Sequence, residues 1–263
     1  MDSQPRVLLV HGSVVNSDLT WSAQKPLADR FEIVAPNRRG FPPGPDVERV
    51  DFDDEAVWLE QFLDAGSAAG QAGDARLEDP GAFGAGEPGT HLVGHSYGGV
   101  IALLAAARNP DPLRSLTVIE PPAFGIARGT AAADEFMTRI EEHWTNGPRD
   151  PGEFLRGFLG LVGSSTPVGD FTPELLQGAR TLMVERPPSE AVIPFDELAG
   201  TPFPKLVVSG GHSAAFDAVC DVLEERLGAE RAVLPGAGHS VQRLGEPFNE
   251  VLTTFVERAE ARG

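Results

Sequence analysis

The segment HLVGHSYGGVIALLAAARNP, residues 91–110, places the tightest constraint on the fold. An apolar run ends in Gly94-His95-Ser96-Tyr97-Gly98, and an apolar helical pattern follows at once. A strand that becomes a helix so abruptly must bend sharply, and the residue at the bend takes a strained backbone conformation. Glycines two places before and after Ser96 remove Cβ atoms that would collide across such a turn. The bend raises the serine hydroxyl above the sheet edge, and the helix N-terminus behind it offers N–H groups and positive dipole to a developing oxyanion. A serine in a merely structural glycine turn has no need of this context, so Ser96 is the expected nucleophile.

The rest of the chain supplies the sheet. Short apolar runs bounded by turn residues predict strands at Val7–Val10, Phe31–Ala35, His91–Val93, Ser115–Ile119, Lys205–Ser209 and Arg231–Leu234. Helical patterns between them begin near Trp21, Asp53, Tyr97, Phe216 and Pro247. This alternation predicts an α/β fold with a doubly wound, mostly parallel sheet covered on both faces. Residues 65–89 are rich in Gly and Ala without apolar periodicity, and read as a long surface connection with room for a short helix. Residues 121–203 lack a strand pattern and instead predict helices at Ala131–Trp144, Gly152–Val162, Pro173–Glu185 and Glu190–Leu198. Strand patterns resume afterwards, so residues 1–120 and 204–263 form the expected core and 121–203 a helical insertion.

Bulk properties narrow the partners. A net charge of −18 over 263 residues disfavours nucleic acid and anionic membrane, which require a basic face. The N-terminal segment lacks a basic stretch followed by a long apolar run, and no run approaches the ~18 apolar residues of a membrane span. A soluble, cytoplasmic protein acting on a small molecule is expected, its oligomeric state left open. The single cysteine, Cys220, lies on an apolar stripe and reads as a core thiol. The histidines form no ligand cluster with carboxylates, so no metal site is expected.

Here the chain resembles the α/β-hydrolase superfamily over almost its full length. LLVHGSVVNSDLTW is similar to the family's first strong strand and its oxyanion turn, and NRRGFPPGP to the Arg-Gly loop after the next strand. The resemblance implies that the backbone N–H groups of Ser13 and Tyr97 form the oxyanion hole. It also implies a cap where residues 121–203 fall. The chain opens at the strand before His11-Gly12, which implies a sheet shortened to about six strands.

Gly-His-Ser occurs three times, at 94–96, 211–213 and 238–240. The third copy follows the last strand in Gly236-Ala237-Gly238-His239, a flexible loop able to carry a general base back over Ser96. The resemblance places its histidine in such a turn, so His239 is the expected base. His11 and His95 belong to turns, His91 starts a strand, His143 sits in an insertion helix, and Ser240 reads as a local hydrogen-bonding residue. The acid is less plain. The loop after Lys205–Ser209, where most relatives carry it, reads GGHSAAFD, and its nearest carboxylate, Asp217, falls a turn into a helix. His212 in that loop brings no fixed negative charge. Glu120 ends the fourth strand and is held extended by Pro121-Pro122, at the edge where open α/β sheets bind ligands. Glu120 is therefore the expected acid, with Asp217, another carboxylate, or a Ser96–His239 dyad lacking an acid as the alternatives.

These residues predict a cofactor-free serine hydrolase acting on a carboxylic ester, lactone or thioester through an acyl-enzyme on Ser96. The same framework also hosts carbon–carbon hydrolysis, lyase or cyclase steps, acyl transfer, and ligand binding without turnover, and fold alone does not choose among them. Phe136, Trp144, Phe154, Phe158 and Phe171 suggest an apolar pocket for an acyl group, although packing of the insertion onto the sheet accounts better for most of them.

Overall fold

A computed structural model describes residues 4–63, 89–164 and 171–262. Six parallel strands form one sheet in the order β2-β1-β3-β4-β5-β6: β1 Arg6–Val10, β2 Glu32–Val34, β3 Thr90–His95, β4 Leu113–Ile119, β5 Lys205–Ser209 and β6 Glu230–Val233. All six lie where the apolar runs place them. Alternation along each strand sends side chains to opposite faces. Leu8, Val10, Leu116, Val118 and Val207 join one core with the helices α2 Phe52–Glu60, α3 Tyr97–Arg108 and α8 Ala214–Leu227. Val7, Leu9, Ile119, Leu206 and Val208 join the other, against Phe248, Leu252 and Phe255 of the C-terminal helix Glu246–Glu260. Both faces are covered, which explains why the strands read as near-continuous apolar runs.

Helix starts follow capping chemistry. Asp51 accepts the Asp53 amide at 3.0 Å and three acidic residues occupy the first turn of α2. The helix expected near Trp21 is replaced by a short helix α1, Ser17–Thr20, capped by Asn16, and a 3-10 segment, Ser22–Asp29, that contains Pro26. Proline removes an amide donor and disrupts α-helical bonding there. Between β4 and β5 the chain forms α4 Ala131–Asn146, α5 Pro151–Leu161, α6 Pro173–Met183 and α7 Phe195–Ala199. The helix expected over 190–198 is broken, because Pro194 separates α7 from a 3-10 turn at Pro188–Glu190. The glycine-rich stretch 65–89 lies, apart from Gly89, outside the described residues.

The insertion packs on the sheet's carboxyl edge through a small core of its own. Phe154, Leu155, Leu159, Ala179 and Leu182 close over Val14, in the loop after β1. A Cβ on Gly178 would lie 1.8 Å from the Val14 carbonyl oxygen, so α6 rests directly on that loop. Among the described residues no helix is long and apolar enough to cross a membrane.

Candidate active site

Strand order reverses between β1 and β3, and the loops after these two strands meet at the sheet's carboxyl edge, the usual crevice for ligands in open α/β sheets. Ser96 sits between β3 and α3 with φ 55° and ψ −127°, in the left-handed half of conformational space. Its flanking glycines are required by contact. A Cβ on Gly94 would fall 2.4 Å from the Gly98 carbonyl oxygen, and one on Gly98 would fall 2.4 Å from that of His11. The loop after β1 is equally close, since a Cβ on Gly12 would lie 2.7 Å from the Ser96 Cβ.

The structure brings Ser96, His239 and Glu120 into line. His239 Nε2 is 2.9 Å from Ser96 Oγ, and its Nδ1 is 2.8 Å from Glu120 Oε2. Glu120 is fully buried, and its amide bonds the Val208 carbonyl at 3.0 Å, which fixes it at the end of β4. Its Oε1 accepts the Gly210 amide at 2.7 Å. Burial opposes the carboxylate charge, but contacts from His212, His239 and the Gly210 amide outweigh it and hold Glu120 at about 2. Asp217 points elsewhere. It accepts the Ser209 hydroxyl at 2.7 Å and pairs with Arg231 at 3.2 Å.

His95, read in the sequence only as a turn residue, packs against His239 with ring centroids 4.9 Å apart. Burial lowers His95 to about 3, so the ring is neutral, and its Nε2 lies 3.0 Å from the His239 carbonyl oxygen that it can donate to. The Ser240 carbonyl accepts the Arg243 amide at 2.9 Å in the short 3-10 turn that follows His239. Burial pushes the Cys220 thiol up to about 12.

A model of the alpha/beta hydrolase family matches residues 7–251. The chain belongs to that family. At 25% identity it is similar to 2-(acetamidomethylene)succinate hydrolase of Mesorhizobium japonicum, over 97% of this chain and 89% of that protein. Its fold is similar to the enol-lactonase of Burkholderia xenovorans, with TM-score 0.66, 16% identity, and coverage of 97% of this chain and 92% of that one. A carboxylesterase of Nitrososphaera gargenis gives TM-score 0.65 at 16% identity, covering 99% of this chain and 92% of the other. Both structural likenesses concern the fold.

In this hydrolase the loop carrying Ser13 is held by a buried ionic cluster that sequence reading did not assemble. The Arg38 guanidinium is bonded to Glu55 at 2.7 Å and Glu185 at 2.9 Å, and donates to the Gly12 carbonyl at 3.0 Å. Glu185, just past α6, also accepts the Ser13 hydroxyl. His11 is lowered to about 3, by burial first and by Arg38 second. Its neutral Nε2 accepts the Arg38 amide at 2.9 Å, and Nδ1 lies 2.8 Å from the Gly12 carbonyl oxygen. Pinning that carbonyl has a geometric effect. In a planar trans peptide the Ser13 N–H points opposite to the Gly12 C=O, and so away from Arg38. Tyr97 is the first residue of α3, where amides have no carbonyl one turn back.

Arg38, Glu55 and Glu185 are all nearly inaccessible, so removing the cation strands two buried carboxylates. Arg38→Met is expected to destabilise the protein by about 3–5 kcal/mol in urea unfolding, and adding Glu185→Gln to recover part of that loss. A loss below about 1 kcal/mol would mean that the cluster carries little charge in the folded state.

Two cavities meet at Ser96, with Ser13, Phe158, Val162 and His239 lining both. The larger, about 370 Å³, is walled by Phe124, Phe136, Met137, Ile140, Trp144 and Phe216. The smaller, about 70 Å³, reaches Phe171, Gln242 and Arg243. Of the five aromatic residues singled out in the insertion, Phe154 lines neither and packs on Trp144 at 4.9 Å between ring centroids.

Proposed function

We propose that this alpha/beta hydrolase cleaves an ester, lactone or thioester of an apolar acyl group through an acyl-enzyme on Ser96. The observation that carries this reading is the continuous Ser96–His239–Glu120 relay, with contacts of 2.9 and 2.8 Å. Ser96 Oγ attacks the acyl carbon while its proton passes to His239 Nε2. Glu120 fixes the tautomer with the proton on Nδ1 and stabilises the imidazolium that forms. The carbonyl oxygen becomes an oxyanion held by the Ser13 and Tyr97 amides. Collapse expels the alcohol or thiol, which takes the proton from His239. Water then gives a proton to His239 and attacks the acyl carbon, releasing the acid and restoring Ser96. These steps draw on side chains, backbone and water.

We read residues 121–203 as a cap, because α4 supplies Phe136, Met137, Ile140 and Trp144 to the larger cavity. That wall suits an apolar acyl chain, each buried methylene contributing about 0.8 kcal/mol. p-Nitrophenyl butyrate is therefore expected to exceed the acetate in kcat/KM by about tenfold. The decisive experiment is treatment with a fluorophosphonate followed by peptide mass mapping. A single adduct on Ser96, together with release of free acid from an ester, lactone and thioester panel, is the expected result. Absence of both labelling and turnover would remove the hydrolase reading, and transfer of the acyl group to an added nucleophile without free acid would redirect it to acyl transfer.

A further inference from the structure

His212, from the middle Gly-His-Ser copy, is not used by the relay, yet it stands beside it. The residue lies in the loop between β5 and α8. Its Nδ1 is 3.2 Å from Glu120 Oε1, a charge contact lying off the hydrogen-bond direction. Its Nε2 is 3.2 Å from the Val162 carbonyl oxygen, at the end of α5. Both ring nitrogens thus face oxygen acceptors, which suits the doubly protonated imidazolium. The charged and titratable groups around it are Glu120 from the end of β4, Asp217 from α8 and His239 from the loop after β6. Val162 and Gly163 present only backbone and apolar atoms. Contact with Glu120, opposed by burial, raises His212 above the usual histidine range.

The fit around the ring is close. It stacks on Phe216 at 5.8 Å and 30°, and a Cβ on Gly163 would fall 2.9 Å from its Cδ2. The residues just past α5 also meet the loop that carries the base. Ser164 forms an antiparallel bridge with Gly238, and a Cβ on Gly238 would lie 2.4 Å from the Gly163 carbonyl oxygen. Three consecutive residues, 162–164, therefore touch the residue before His239 directly and reach Glu120 through His212.

We propose that His212 is a positioning residue that clamps Glu120 to residues Val162–Ser164, just past α5 of the insertion, so that one side chain sets both the acid's orientation and the seating of the wall over Ser96. This rests on reading Ser96, His239 and Glu120 as the triad. The test is the rate of Ser96 labelling by a fluorophosphonate between roughly pH 5 and 9, a range in which a histidine base titrates. Wild type, His212→Gln and His212→Phe are compared, with amide hydrogen exchange at Val162 and Ser164 followed in parallel. Glutamine retains a donor without charge, and phenylalanine retains only the ring stack.

Labelling at neutral pH is expected to fall about tenfold in the phenylalanine variant and less in the glutamine variant. The acidic midpoint is expected to rise by about one pH unit in both, because the Glu120 charge is no longer shared with a second cation. Exchange at both amides is expected to quicken. A folded glutamine variant with an unmoved midpoint overturns the clamp, even if labelling is slower, because packing loss alone does not shift the profile. Unchanged exchange overturns it as well. If the phenylalanine variant fails to fold, the glutamine variant decides alone. A wild-type protein that takes no label refutes the triad itself, whereas labelled wild type with unaltered variants refutes only the clamp.

Discussion

Ser96→Ala is expected to lower kcat by about 10⁴-fold or more on any ester that the protein turns over, while leaving folding and ligand binding intact. The size follows from what is lost. Without Oγ there is no acyl-enzyme, and only the oxyanion amides and the cavity remain to favour reaction with water. Binding survives because the apolar wall of the larger cavity is untouched. Folding survives because alanine keeps a Cβ at φ 55° and so neither relieves nor adds backbone strain. Steady-state turnover of p-nitrophenyl butyrate, calorimetric binding of butyrate and a thermal melt together check this. Residual activity within a hundredfold of wild type would place the nucleophile elsewhere.

Glu120→Gln is expected to have the next largest effect, a fall in kcat of about 10³–10⁴-fold. The amide is nearly isosteric, but it cannot accept on both ends. Its oxygen must take the Gly210 amide, now at 2.7 Å from Oε1, which turns the NH₂ group toward His239 Nδ1. His239 then has to accept at Nδ1 and carry its proton on Nε2, facing Ser96 in the wrong tautomer. Asp217→Asn, by contrast, should change kcat less than threefold, roughly the effect of a substitution that touches no reacting atom. Its bonds to Ser209 and Arg231 are half-exposed, so the stability cost is about 1 kcal/mol or less. Equal losses in the two variants, or a larger one at Asp217, would return the acid to the loop after β5.

Glu120 also makes a pH prediction with a definite sign. Its folded value, about 2, is depressed from an ordinary 4.5, so the stability it contributes is full above about 4.5 and disappears as pH falls toward 2. Comparing wild type with Glu120→Gln by urea unfolding at pH 6 and pH 3 should show the gap narrowing at the lower pH. A gap that widens on acidification would mean that the carboxyl is protonated in the native protein.

How much of this was legible before the fold was known depends on how local the signal is. β1 and β5 announce themselves because strands covered on both faces are largely apolar, whereas β3 and β4 show shorter apolar runs among buried polar residues such as His91, Ser115 and Thr117. Ser96 was legible because its glycines answer to contacts within a few residues or at the adjacent loop. The juxtaposition of Glu120 with His239 could be anticipated from a strand end, but not from the prolines: Glu120 turns out of β4 at φ 44° instead of staying extended before Pro121-Pro122. The 3-10 segment after Trp21 and the break before α7 were not, since apolar spacing dominates the pattern while Pro26 and Pro194 decide the bonding. The partnership of Arg38 with Glu55 and Glu185 spans 17 and 147 residues of chain, and no periodicity links such positions. In the sequence, His212 offers no fixed negative charge and so no reason to stand beside Glu120. Only the approach of Val162 and Glu120 to its two nitrogens shows what a cation could do there.

Among the described residues, three that are not glycine have positive φ, Val14 at 79°, Ser96 at 55° and Glu120 at 44°, and all three sit around the proposed reacting centre. Such conformations cost about 1–3 kcal/mol each, and a branched Val is among the least tolerant residues. A chain selected for durability alone would carry glycine at these places. Val14→Gly relaxes one such bend but also removes a side chain buried under the insertion, so it is compared with Val14→Ala, which loses the packing without the relief. If relaxing that turn raises the melting temperature while slowing turnover, the molecule trades endurance for rate at a single backbone bend.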